Sequence, residues 1–288
     1  MAGAGAAPVR RAKKPVGRAA EEPGARRTPS AGGPKRAGRR YAVVHDTSGP
    51  KVRLGILWFL VAASALAMGP LSTALVYGIA AAVAAAQTAR CWRKRRARPS
   101  DAIAAGLAGL MGAGALLGAG GAGIGLVAGV IMAIVVAVGD ARSPNPTVVD
   151  AGWTIQCALP PGLVAMSMVL LARLDQGSAI ALLLLVSGYE TGDFLVGSGA
   201  RNPYEGPAAG ASAIVVITFI VSTLPISALD FGEAWLFGGL VVLLAPLGQL
   251  FASALLPSAK SPASALRRLD SLLLVAPAWC FGVGLVVS

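Results

Sequence analysis

From Leu54 onward the chain alternates long apolar runs with short polar breaks. Nine runs are read, at approximately 54–69, 71–89, 102–119, 123–139, 154–172, 179–197, 208–227, 233–256 and 271–288. Runs of this kind predict membrane-spanning helices, because about 20 apolar residues cross a bilayer. Gly and Pro punctuate many of them, as at Pro160-Pro161 and Pro246. Membrane helices tolerate such residues where neighbours satisfy the freed backbone groups. The third and fourth runs are dense in small residues, among them Gly112, Gly114, Gly118 and Gly120, which predicts close helix packing. No strand precedes these glycines, so they are not read as a dinucleotide-binding turn.

Residues 1 to about 50 follow no such pattern. They are rich in Ala, Gly, Pro and Arg and hold few large apolar residues. Such a segment cannot bury enough surface to offset its chain entropy, so it is expected to be disordered. It lacks an uninterrupted apolar core and is not read as a secretory signal peptide. The expected organisation is a basic tail over 1–50 and an all-α membrane domain of about nine transmembrane helices over 51–288.

Composition agrees with that pattern. Of 288 residues, 55% are hydrophobic and 13% charged, where a soluble domain carries roughly 25% charged residues. Too little polar sequence remains to cover a soluble fold. Cys91, Cys157 and Cys280 are scattered, and His45 is the sole histidine. A zinc centre and a Ser-His-Asp triad are therefore poorly supplied with residues.

Charge sets the orientation. With the tail in the cytoplasm and nine alternating spans, 24 of the 25 Lys and Arg residues fall on the inner side, and Arg173 alone falls outside. This is the bias expected of cytoplasmic loops, and it puts the C-terminus on the far side of a cell inner membrane. The tail and the 90–100 loop, with Arg90, Arg93, Lys94, Arg95, Arg96 and Arg98, are expected to touch anionic lipid heads. The plainer reading of that loop is a topology anchor with an interfacial Trp92. No aromatic residue lies among the tail's charges before Tyr41, which argues against nucleic-acid binding.

Few polar groups remain at the inner ends of the spans. Glu190 and Asp193 share a helix face at the end of the sixth run. A polar loop with Arg201, Asn202, Tyr204 and Glu205 follows. Gln249 and Ser253 lie in the eighth run, and Lys260, Arg267, Arg268 and Asp270 precede the ninth. Charges so placed are functional suspects. Carboxylates hold Mg²⁺ together with substrate phosphates, and Arg and Lys clamp phosphate oxygens. Taken without further information, ion pairs that pack helices explain the same residues, and a transporter with Glu190 and Asp193 as ion sites is a third reading. The inverted repeat expected of a transporter is not visible in the two halves.

Four motifs over roughly 179–288 resemble the phosphatidate cytidylyltransferases, or CDP-diacylglycerol synthases. Glu190-Thr191-Gly192-Asp193-Phe194, with Gly197, stands where that family has Asp-Ser-Gly-Ala-Tyr and a later Gly. Asn202-Pro203-Tyr204-Glu205-Gly206 resembles Ser-Pro-Gly-Lys-Thr-Trp-Glu-Gly with three residues deleted. Leu247-Gly248-Gln249-Leu250-Phe251-Ala252-Ser253 stands against Leu-Gly-Asp-Leu-x-x-Ser. Leu266-Arg267-Arg268-Leu269-Asp270-Ser271 stands against the closing Asp-Arg-hydrophobic-Asp-Ser.

The resemblance implies a polytopic enzyme that joins phosphatidic acid to CTP with Mg²⁺, releasing pyrophosphate. It implies Glu190, Arg268 and Asp270 as catalytic residues and Glu190, Asp193 and Asp270 as metal ligands. It further implies substrate contacts from Asn202, Glu205, Ser253, Lys260 and Arg267. A homodimer follows by family analogy only. The departures all touch metal or phosphate handling. The motif lysine is absent, Gln249 and Arg267 replace aspartates, and Pro262-Ala263-Ser264 replaces a His-Gly-Gly turn. A catalytically silent relative that binds a lipid or a partner is the alternative these losses favour.

Overall fold

The computed structural model describes residues 51–93, 98–140, 145–200, 202, 204–224 and 227–287. The 1–50 tail, residues 94–97 of the basic loop and Arg201 lie outside the described residues. The described secondary structure is helical: α1 Lys51–Ala67, α2 Pro70–Arg93, α3 Asp101–Gly114 extended by a 3-10 turn Ala115–Leu117, α4 Ala119–Gly139, α5 Thr147–Leu174, α6 Gln176–Gly197, α7 Glu205–Thr223, α8 Phe231–Ala254, the single turn α9 Leu266–Leu269, and α10 Leu272–Val287.

The chain is an all-α, multi-pass membrane protein. Seven helices are long and apolar enough to cross a bilayer, counting Leu266–Val287 as one, and two apolar helices are shorter, Arg53–Ala67 and Asp101–Leu117. The expected fifth run starts at 154, whereas α5 starts at Thr147. The reason is a polar first turn that hydropathy counts against a span. Asp150 is buried there and accepts from Asn145 Nδ2 at 2.9 Å. Pro160 and Pro161 lie inside α5 without ending it. Both are buried among neighbouring helices, the setting in which membrane helices absorb prolines.

α5 is the central helix, packed against α2, α3, α4, α6 and α10. Where α2, α3 and α5 meet, the buried positions are small: Ala81, Ala84, Ala85, Ala104, Ala108, Ala158 and Ala165. Small faces let helix backbones approach, and dispersion then acts over the whole contact. Gly112 serves this packing against Ala165 and Gly78, while Gly114 sets α3 against α4 at the Gly121 carbonyl. Gly118 has φ +92° and turns the chain between the 3-10 turn and α4, a conformation that favours glycine. Gly120 faces open space. On α4, Ile124, Val127, Ile131 and Val135 are exposed, as residues facing lipid would be.

Contacts between loops sort the helix ends into two sets. At one end Gln176 Nε2 donates to the Leu66 carbonyl at 2.7 Å, and the Ala228 N–H donates to Asp175 Oδ2 at 3.0 Å. At the other end Trp92 Nε1 donates to the Leu255 carbonyl at 2.7 Å, and the Ala265 N–H donates to Gln87 Oε1 at 2.9 Å. The helices therefore run up and down in alternation. Among the described residues Lys51, Arg53, Arg90, Arg93, Arg98, Lys260, Arg267 and Arg268 belong to the second end, and Arg173 alone to the first.

Candidate functional site

The last two turns of α6 carry Tyr189, Glu190 and Asp193. Asp193 is buried and accepts from Gln249 Nε2 of α8 at 3.2 Å. The first turn of α7 closes over the same carboxylate. A Cβ at Gly206 would fall on Asp193 Oδ1, so glycine is what allows α7 to start there. The amino end of a helix carries partial positive charge, which suits an acid packed against it.

α8 contributes a second polar pair. Gln249 and Ser253 are one turn apart, and the Ser253 hydroxyl donates to the Gln249 carbonyl at 3.1 Å. One residue earlier, Gly248 packs directly on the Asp270 carbonyl, where any Cβ would collide. α8 thereby holds the junction between α9 and α10.

That junction carries the charges. Arg267 Nη1 donates to Ser253 Oγ at 3.0 Å, Arg267 Nη2 donates to the Ala259 carbonyl at 2.9 Å, and Nη1 lies 4.0 Å from Asp270 Oδ2. The other carboxylate oxygen of Asp270 accepts the Ser271 N–H at 2.8 Å and lies 3.5 Å from the Ser271 hydroxyl. Glu190 lies beside Ser271 and within electrostatic reach of Asp270, Arg268 and Asp193. Arg268 Nη1 rests against α1, 3.3 Å from where a Cβ at Gly55 would stand.

Glu190, Asp193, Ser253, Arg267, Arg268 and Asp270 therefore occupy one neighbourhood, drawn from α6, α8 and the α9–α10 junction. The remaining expected site residues stand outside it. Asn202 is exposed and its Oδ1 accepts the Tyr204 N–H at 3.2 Å. Glu205 is exposed in the first turn of α7, and the Lys260 side chain is exposed on the 255–265 segment.

Among the described residues no three acidic, His or Cys side chains are grouped to hold a metal ion. Asp193 is bonded by Gln249 and stays within electrostatic reach of Glu190 and Asp270. Glu190 and Asp270 lie within electrostatic reach of each other.

Two features were not foreseen from the sequence. Tyr77 of α2 and Tyr189 are fully buried, and both hydroxyls lack a hydrogen-bond partner among the described residues, as does Gln249 Oε1. A tyrosine inside a membrane helix was the available signal. The second feature is an open cleft of about 880 Å³ lined by Arg93, Arg98, Ser100, Asp101, Gly139 and Asp140. It lies at the basic end but away from Glu190 and Asp270. Arg90 and Arg93 both bond Asp101 there, Arg90 Nε at 3.1 Å. These two arginines of the 90–100 loop are thus paired within the protein. No family model and no curated protein matches the chain.

Proposed function

We propose that this protein is a divergent phosphatidate cytidylyltransferase-like enzyme of nine spans. Its basic end faces the cytoplasm, and its C-terminus lies on the opposite side of the cell inner membrane. The observation that carries the reading is the meeting of three resembling stretches, around Glu190, Gln249 and Asp270, at one end of the bundle. In the reaction a phosphate oxygen of phosphatidic acid attacks the α-phosphorus of CTP in line. A P–O bond to that phosphorus forms, pyrophosphate leaves, and CDP-diacylglycerol results. Arg268 would hold phosphate oxygens, while Lys260, Asn202 and Glu205, which the resemblance implies as substrate contacts, are exposed outside the cluster and would reach substrate only from its rim. Mg²⁺ held by Glu190 and Asp270 would draw negative charge off the phosphates.

A second reading is favoured by Gln249 and Arg267. An amide and a guanidinium stand where the resembling family has carboxylates, and both are tied to neighbouring side chains. On this reading the protein binds phosphatidic acid, or a partner, without turnover.

One assay separates the two. Purified protein with CTP, Mg²⁺ and phosphatidic acid yields CDP-diacylglycerol and pyrophosphate if the enzyme reading holds, and Asp270→Ala abolishes the product. No product above a no-protein control, where an intact family member turns over, favours the silent binder. Retention of phosphatidic acid by the purified protein then tests that reading.

A further inference from the structure

The 255–265 segment leaves the charged cluster at one end and returns to it at the other. It follows Ser253 of α8 and leads into Arg267 and Asp270. Both ends are fixed. Leu255, Leu256 and Leu266 are buried. Trp92 Nε1 donates to the Leu255 carbonyl at 2.7 Å, and the Ala265 N–H donates to Gln87 Oε1 at 2.9 Å. The last two turns of α2 thus hold the segment where it starts and where it ends.

The middle is held differently. From Pro257 to Ser264 it carries no apolar side chain larger than proline. The buried residues there are two alanines, Ala259 and Ala263, and Lys260 is exposed at the tip. Its tie to the cluster is the bond from Arg267 Nη2 to the Ala259 carbonyl at 2.9 Å. On the other side of the same guanidinium, Nη1 lies 3.0 Å from Ser253 Oγ and 4.0 Å from Asp270 Oδ2. Arg267 therefore stands between the segment and the cluster. Ser253 and Ser271 are 0% exposed and the Asp270 side chain 13%, so a ligand from water meets them only after their cover moves. Segments with few buried apolar contacts open at low free energy, separately from the fold around them.

We propose that residues 257–264 form a lid over the charged cluster at the basic end, hinged at Leu256 and Ala265 and latched by Arg267. The latch belongs to the cluster, so an acceptor that draws the guanidinium away frees the Ala259 carbonyl and ties opening to occupancy. The lid stands on these contacts and holds whether the site turns over a substrate or only binds one.

Single cysteines read by a water-soluble maleimide test the motion, on the purified full chain in nanodiscs with Cys91, Cys157 and Cys280 replaced by alanine. Lys260→Cys reports the exposed tip, Ala259→Cys the buried side of the lid, and Ser271→Cys the cluster. Ala245→Cys, at a position 0% exposed in α8, reports the bundle interior. Cysteines at 259 and 271 are expected to label at least tenfold slower than at 260 and at least tenfold faster than at 245. Arg267→Lys keeps the charge but loses the forked donors that reach Ala259 and Ser253 together. It is expected to speed labelling at 259 and 271 at least tenfold and to leave 245 unchanged. Equal rates at 271 and 245 with Arg267 in place overturn the lid, and that comparison needs no latch variant. Acceleration by Arg267→Lys at 259 without 271, at none of the positions, or at 245 as well, also overturns it.

Discussion

Gln249 of α8 and Asp193 of α6 are joined by a buried hydrogen bond of 3.2 Å, amide to carboxylate. An acid this deep in a membrane bundle is expensive unless donors face it. The amide supplies one, and the Gly206 turn of α7 packs on the other oxygen. The pair therefore fixes three helices relative to each other. Asp193 remains within electrostatic reach of Glu190 and Asp270.

Replacing Gln249 tests that tie. Gln249→Leu keeps the volume and removes the donor, and a hydrogen bond to a charged group is worth about 1.5–3 kcal/mol. The variant is expected to unfold at lower temperature in nanodiscs by a shift matching that loss. Gln249→Glu faces one carboxylate with another, and is expected to lose more unless a divalent ion is added. Equal melting of wild type and Gln249→Leu would show that the bond contributes nothing.

The contact between Gly248 and the Asp270 carbonyl leads to a steric prediction. Gly248→Ala forces α8 away from the α9–α10 junction, because backbone rather than a flexible side chain receives the new methyl group. Overpacking of this kind costs about 1–3 kcal/mol. Loss of melting temperature is expected together with loss of CDP-diacylglycerol formation, since Asp270 moves with the junction. Gly232→Ala, where a Cβ meets nothing within 4 Å, is the matched control and is expected to behave as wild type.

The opposite end of the bundle carries a pH prediction. Asp175 caps α6, accepting the Gly177 and Ser178 N–H groups at 3.2 and 2.9 Å and the Ala228 N–H at 3.0 Å. Partial burial works against its charge, but these donors and the Ser178 hydroxyl hold its carboxyl below the usual carboxylate range. A carboxyl depressed on folding contributes stability that is fully present above its unfolded value, near about pH 4, and is lost as pH falls through the folded value. Asp175→Ala is expected to cost about 1–2 kcal/mol at pH 7. The gap between wild type and variant should narrow below about pH 4 in melts taken across that range. A gap that stays constant with pH would remove the carboxylate from the account.

Much of this arrangement was legible in the apolar pattern. The runs at 71–89, 123–139, 179–197, 208–227 and 233–256 correspond to α2, α4, α6, α7 and α8 within a few residues. Hydropathy finds a helix wherever its surface must meet lipid. It fails where a polar turn is satisfied inside the bundle, as at Asp150 in the first turn of α5. The meeting of Glu190 with the Asp270 segment was expected from polar residues at matching span ends. What the pattern cannot carry is partner choice. Gln249 and Arg267 were visible as substitutions in the resembling motifs, but their bonds to Asp193 and Ser253 depend on helix rotation. The exposure of Asn202, Glu205 and Lys260 depends on loop geometry, which no periodicity encodes.

Arg173 was the single basic residue assigned to the outer side, and its contacts explain its place. Its Nη1 donates to the Ala115 carbonyl at 3.3 Å and also bonds the Leu116 carbonyl. These carbonyls lie where α3 runs out into its 3-10 turn, an end with unpaired acceptors and partial negative charge. The charge thus serves as a cap joining α5 to α3 and is independent of the lipid bias that gathers basic residues at the other end. Arg173→Met keeps the stem and removes the donors, and is expected to cost about 1–2 kcal/mol. Arg173→Lys is expected to recover part of the loss, as a single ammonium reaches one carbonyl better than two. Orientation should not change in either variant, because the remaining basic residues still favour one side. Labelling of single cysteines at residues 69 and 260 from the two sides of sealed vesicles, alongside the melts, reads both outcomes. An inverted labelling pattern in Arg173→Met would mean that this arginine sets topology rather than capping a helix.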